Sequence, residues 1–165
     1  MPRWFDTAKQ YLGQREIKGA SHNPLIVRWW ASIRAPFTDD ETSWCAAFVG
    51  GVLEECGIRS SRSAAARSYL KWGQRLGSPA VGAVVVFWRG SPTSWSGHVG
   101  FVAGQDRWGN LMVLGGNQGD QVNIKPFPRS RVLGYAWPVS EPLPTGIGTP
   151  LPVLQSDGAL STNEA

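Results

Sequence analysis

Cys45 and Cys56 are the only cysteines of this chain, and His22 and His98 its only histidines. The cysteines stand eleven residues apart in a run, Trp44 to Cys56, where Cys45, Phe48, Val49, Val52, Leu53 and Cys56 recur at helical spacing. A helix there sets the two residues roughly 16 Å apart along its axis. A disulfide needs Cα atoms within about 7 Å, so the two cannot bridge. Two cysteines do not make a zinc site alone, and the histidines do not fall at finger spacing. Both thiols are expected to be free, and no metal or other cofactor is called for. Cys45 opens the helix, where unpaired N–H groups and the macrodipole favour a thiolate, whereas Cys56 closes it, where the dipole opposes one. Cys45 is therefore the candidate nucleophile. The alternative for both is a small core hydrophobe.

His98 opens the run "GHVGFVAG", flanked by Gly97 and close to Gly100. Asn117 follows 19 residues later in "LGGNQGDQV". If those two runs pair as strands, the Asn117 amide can accept from one ring nitrogen and leave the other facing the thiol. Cys, His and Asn in that order match a nucleophile, a base and an orienter. Gln118 is a second amide able to help in that task. The alternatives are a structural or solvated His98 and a plain turn residue at 117. His22 lies in a loop with no evident partner and reads as a surface residue.

The elements that must hold these groups change character along the chain. Trp4, Phe5, Ala8, Tyr11 and Leu12 make a first helical face, stopped at Gly13. Asn23 and Pro24 open a second helix carrying Ile26, Trp29, Trp30 and Ile33. The nucleophile helix comes third, with Ser43 or Thr42 as N-cap and Gly57 past its end. A shorter helix is expected over residues 64–72, capped by Ser63. Strands then follow: "AVVVFWR", "GHVGFVAG", "NLMVLGGN", "QVNIKPF" and "VLGYAWP", with "QDRWGN" as a hairpin turn. Helices first and strands second predict an α+β domain, its N-terminal helices packed on a small antiparallel sheet. The domain is expected to span residues 1–138. Residues 139–165, rich in Pro and Gly and without periodicity, are expected to form a disordered tail or linker.

The charged fraction of 17% and apolar fraction of 42% exclude global disorder. No apolar run reaches the ~18 residues of a membrane span. A net charge of +4 indicates mild attraction to polyanions, with a modest cluster at Arg59, Arg62 and Arg67. No dense basic block or aromatic–basic motif points to nucleic acid. The start, "MPRWFDTAKQYLGQ", lacks a signal-peptide core. Synthesis in the cytoplasm, with later release or delivery to the site of action, is the expectation.

The stretches "DDETSWCAAFVGGVLEECG", "GHVGFVAG" and "LGGNQGDQV" resemble the CHAP-like cysteine hydrolases of the NlpC-type, papain-like superfamily. The resemblance covers roughly residues 4–138. It implies a papain-like fold and a monomeric peptidoglycan hydrolase, either an N-acetylmuramoyl-L-alanine amidase or a peptide endopeptidase, such as a phage endolysin or related lytic enzyme. It makes Cys45 the nucleophile, His98 the base and Asn117 the orienter. The Cys45 N–H would supply one oxyanion donor. Asp39, Asp40 and Trp44, just upstream or adjacent, are candidates for a second oxyanion or substrate contact, a cap or loop-bracing role being the alternative for the two Asp. Of nine tryptophans, most are expected in the core, while Trp95 and Trp108 fall in turns and could line a groove for glycan or stem peptide. Two departures stand out. Many members carry an acidic residue two positions before the Asn, where this chain has Gly115. Relatives also often read Gly-Asp before the first strand, where this chain has Gly82-Ala83. These keep open a module that binds peptidoglycan without cleaving it. An antibacterial toxin or tail-associated hydrolase with the same chemistry is a third reading.

Overall fold

The computed structural model describes residues 1–18, 21–39, 43–156 and 159–160. Three α-helices come first: α1 (Arg3–Lys9), α2 (Pro24–Ser32) and α3 (Cys45–Glu55). Six strands follow: β1 (Gln74–Leu76), β2 (Val84–Trp88), β3 (Gly97–Gln105), β4 (Leu111–Gly115), β5 (Asn123–Phe127) and β6 (Val132–Trp137). They form one sheet in the order β1-β6-β2-β3-β4-β5, with every pair antiparallel. This is the α+β arrangement the pattern of periodicities predicts.

The second helix starts as its sequence dictates. The Asn23 side chain accepts the Leu25 N–H at 2.9 Å, and Pro24 occupies the first turn, where a missing N–H costs nothing. Helix α3 departs from expectation in two ways. Every residue from Cys45 to Leu53 is buried, so it is a central helix with no solvent face over those turns. Gly50 and Gly51 make that possible. A Cβ on Gly51 would lie 2.4 Å from the Trp29 ring, and one on Gly50 would lie 2.3 Å from Ile33, so α2 presses directly on the α3 backbone. The N-cap is Trp44 and carries no side-chain cap bond. Ser43 is diverted, its Oγ accepting from Asn117 Nδ2 at 3.2 Å; Thr42 lies outside the described residues.

The helix expected over residues 64–72 is a 3₁₀ turn, Ala66–Lys71. Ser63 is not its cap, because Ser63 Oγ accepts the N–H only two residues on, from Ala65 at 3.1 Å, and closes a local turn. Strand β1 is an addition: three residues, too short for alternation to show, pairing with β6. The core lies between α2–α3 and the sheet, where Phe48 meets Phe101 edge-on at 6.2 Å and Trp29 stacks near Trp44 at 6.0 Å.

Beyond residue 138, where composition predicts an unpacked tail, the chain includes a strap against the sheet. Leu151 is buried, Gln105 N–H donates to Pro152 O at 2.9 Å, and Leu154 N–H donates to Gln105 O at 2.7 Å. Gly104 admits this segment, since a Cβ there would stand 2.5 Å from Pro152 O. Proline-rich composition removes donors, but a single apolar anchor and two backbone bonds suffice to dock a short extended strap.

Candidate active site

Cys45 is the first helical residue of α3, at an N-terminus left without a side-chain cap. Strand β4 pairs with β3 only from Phe101 onward, so the start of β3 keeps one open edge. There the Cys45 thiol meets the Val99 N–H, next in the chain to His98. Burial is the largest influence on this thiol and pushes its pKa up. The N–H groups of Val99 and Ala46, the Arg89 charge and the Ser43 hydroxyl all favour the thiolate but do not reverse that direction. The helix-start argument therefore names a real contribution that desolvation outweighs. The resting sulfur is a thiol, and a base must take its proton.

His98 is fully buried in β3, opposite Phe87 of β2. Its ring stacks on Phe127 of β5 with centroids 5.2 Å apart and planes 7° off parallel. At the ring edge, Nε2 lies 3.0 Å from Gln118 Oε1. The amide orientation follows from its other end. Gln118 Nε2 has three acceptors, Val113 O at 3.2 Å, Asn123 O at 3.0 Å and Asn123 Oδ1 at 2.8 Å. Two of these are backbone carbonyls that can only accept, so the oxygen must face the imidazole. His98 Nε2 is then the donor, and in the neutral form of the ring the lone pair sits on Nδ1.

This differs from the expected Cys–His–Asn set. Asn117 adopts a left-handed φ of 60°, and its Nδ2 donates to Ser43 Oγ. The turn that carries it packs on the nucleophile helix: a Cβ on Gly116 would lie 2.6 Å from both Phe48 and the Trp44 ring. The backbone twist at 117 sends its amide toward the start of α3 and delivers the next side chain, Gln118, to His98.

The remaining sequence candidates separate cleanly. Trp44 is fully buried, and its Nε1 donates to Glu16 Oε1 at 2.8 Å, so it braces the core rather than a groove. Asp40 lies outside the described residues, and Asp39 offers its backbone carbonyl to Trp30 Nε1 at 2.9 Å. Trp108 is 52% exposed but sits in the turn after Gln105, and seven strand residues from His98 at ~3.3 Å each put it on the order of 20 Å away. It belongs to the other end of the β3–β4 hairpin. Trp95, three residues before His98, is 89% exposed at the near end. Its loop is pinned by Arg67, whose guanidinium donates to Ser96 O, Pro92 O, Ser91 O and Ser94 Oγ at 2.8–3.2 Å. No sequence signal marked Arg67 for this role, since its partners lie more than twenty residues away. Cys56 closes α3 as a free thiol beside Thr7. Among the described residues no group of three His, Cys, Asp or Glu gathers to hold a metal. A cleft of about 520 Å3 near Ser60, Ser68, Lys71 and Trp72 contains none of these groups, so chemistry rather than volume locates the site.

A thiol on a helix start, a buried imidazole on the neighbouring strand and an amide fixing its tautomer can together break an acyl bond. Residues 37–117, from the approach to α3 through Asn117, match the family model of the CHAP domain. Over that stretch the chain is similar to a CHAP domain. CHAP domains are generally cysteine- and histidine-dependent amidases or peptidases of a peptidoglycan-hydrolase family. No curated protein matches the chain. The match closes one residue short of Gln118, and β5 and β6, which lie beyond it, complete the same sheet as the CHAP stretch.

Proposed function

We propose that this protein hydrolyses an amide or peptide bond of peptidoglycan, with Cys45 as nucleophile and His98 as general base. The observation that carries the reading is the contact of His98 Nε2 with Gln118 Oε1 at 3.0 Å. With Nε2–H facing Gln118, Nδ1 is the ring nitrogen to which we assign the Cys45 proton. Burial disfavours the thiolate, so the thiol proton must pass to a base for the sulfur to attack. The sulfur adds to the carbonyl carbon and the oxygen takes up negative charge at the uncapped α3 terminus, where the Cys45 N–H is one donor. Collapse expels the leaving amine, which takes the proton from His98 Nδ1, and leaves a thioester. Water then attacks the thioester, giving a proton to His98, which returns it to the departing sulfur as the acid and the thiol are released.

The exposed indole of Trp95 is a candidate contact for a polymer substrate. An indole held out from a braced loop three residues from the base offers a flat surface for a sugar ring or stem peptide. The reading of a silent binding module rests on Gly115 and on Gly82-Ala83, and at the first of these Gln118 supplies the polar group that Gly115 lacks. The decisive experiment is digestion of purified cell walls with the wild-type protein and Cys45→Ala, with released muropeptides identified by mass spectrometry. The wild type is expected to release fragments cut at one kind of bond, and Cys45→Ala none. Hydrolysis by Cys45→Ala would overturn the assignment. A free N-acetylmuramic acid carboxyl paired with a free amino terminus on the stem peptide would identify an amidase, and a new carboxyl and amine both within the peptide an endopeptidase.

A further inference from the structure

We propose that Gln118 is the positioning residue for His98 and that Gly115 is the vacancy which admits it. The two positions form one device, and the proposal rests on the hydrolase reading above. A Cβ built on Gly115 would lie 2.2 Å from Gln118 Oε1, 2.9 Å from its amide carbon and 3.3 Å from His98 Nε2. Position 115 thus faces the same edge of the imidazole that Gln118 occupies. A side chain at 115 and the amide of 118 compete for one space, and this chain fills it from 118.

Gln118 is suited to the place by both ends of its amide. Its NH₂ group is saturated by the carbonyls of Val113 and Asn123 and by Asn123 Oδ1, while Asn123 Nδ2 donates back to Gln118 O at 2.8 Å. The side chain is 1% exposed and spans β4 and β5, so its oxygen is held by the sheet itself. A carboxylate at 118 would set oxygen against three oxygen acceptors, which is why an amide stands there. The oxygen presented to the ring is neutral. It locks Nε2–H and the ring plane without placing a formal charge behind the imidazole. An alanine methyl at 115 would have to push that oxygen aside, and every partner that holds it resists the movement.

The test reads the tautomer and then the coupling between the two positions. In the wild-type protein labelled with 15N-histidine, two-bond 1H–15N spectra of the neutral ring should show His98 protonated at Nε2 and bare at Nδ1. An Nδ1–H ring would overturn the proposal whatever the substrate proves to be. Gly115→Ala and Gln118→Ala are each expected to lower kcat on soluble muropeptides on the order of 10²-fold with KM nearly unchanged, because tautomer errors act on the chemical step. Combining them should cost no more than Gln118→Ala alone, since the methyl then meets no amide. Multiplicative losses in the double variant, or full kcat in Gly115→Ala, would refute the coupling. A wild type inert on cell walls would defeat the hydrolase reading, while the spectrum would still decide the position of the proton.

Discussion

Replacing Gly51 with alanine sets two well-known effects against each other. In an exposed helix the change stabilises by about 1 kcal/mol, because glycine loses more backbone entropy on folding. Here the new methyl would sit 2.4 Å from Trp29 Cδ1, 2.7 Å from Cγ and 2.9 Å from Cβ. Carbon atoms repel well inside their optimum of about 3.5 Å, so the intrusion is roughly 1 Å against a ring rather than a flexible chain end. The ring has no easy retreat: Tyr11 meets it edge-on at 5.3 Å, Phe48 at 5.2 Å, and Trp44 stacks behind it. Overpacking of this kind typically costs about 1–3 kcal/mol, which exceeds the propensity gain. Gly51→Ala is thus expected to be less stable than wild type by about 1–2 kcal/mol in urea unfolding followed by circular dichroism. Gly77→Ala, where a Cβ meets nothing within 4 Å, is the control and should stay within about 0.5 kcal/mol of wild type. If Gly51→Ala proves more stable than wild type, the close approach of α2 to α3 is wrong, and with it the account of why α3 has small residues at its centre.

Alkylation of Cys45 by iodoacetamide should rise with pH along a curve displaced to the alkaline side of free cysteine, because burial holds the thiol up. Arg89→Ala removes a charge that favours the thiolate, so its curve should move further in the same direction; a shift toward acid would contradict the site's electrostatics. Asp106 accepts from Trp108 N–H and Asn110 N–H at 2.9 Å and from Asn110 Nδ2 at 3.0 Å, so Asp106→Ala should cost about 1–3 kcal/mol of unfolding free energy. Burial opposes ionisation of that carboxyl, but the donors from Asn110, Trp108 and Gly109 prevail and hold it below the usual carboxylate range. Its contribution is therefore present above the unfolded-state pKa and lost as pH falls through the folded one. The penalty of Asp106→Ala should shrink on acidification, as seen in urea titrations at stepped pH. Arg67→Ala should free the loop around Trp95, and chymotrypsin should cut after Trp95 faster than in wild type; equal rates would mean the four guanidinium bonds do not hold it.

The nucleophile helix, the strand carrying His98 and the antiparallel sheet are legible because each rests on local periodicity. Cys45 stands at a helix start whatever the rest of the chain does, and a run such as "GHVGFVAG" is a strand in most contexts. What escaped the sequence depends on contacts between distant residues or on one backbone angle. The choice between Asn117 and Gln118 turns on the left-handed φ at 117, which aims one amide at Ser43 and the next at His98. The missing cap of α3 has the same origin, since Ser43 is drawn to a partner 74 residues on. Trp108 looked near the site because it follows His98 closely in sequence, yet a nine-residue strand carries it to the far end of the hairpin. Leu151 and its strap could not be foreseen from a composition that lacks periodicity, because docking there needs only a gap above Gly104.

Strand β5 is the edge of the sheet, and Pro126 within it cannot donate to a ladder. Yet this strand supplies both Phe127, on which the His98 ring lies, and Asn123, which holds the Gln118 amide. The reactive geometry therefore draws on an edge strand of the sheet as well as on the buried helix that carries the thiol, and a substitution in β5 far from Cys45 in sequence can disturb the base without touching the nucleophile.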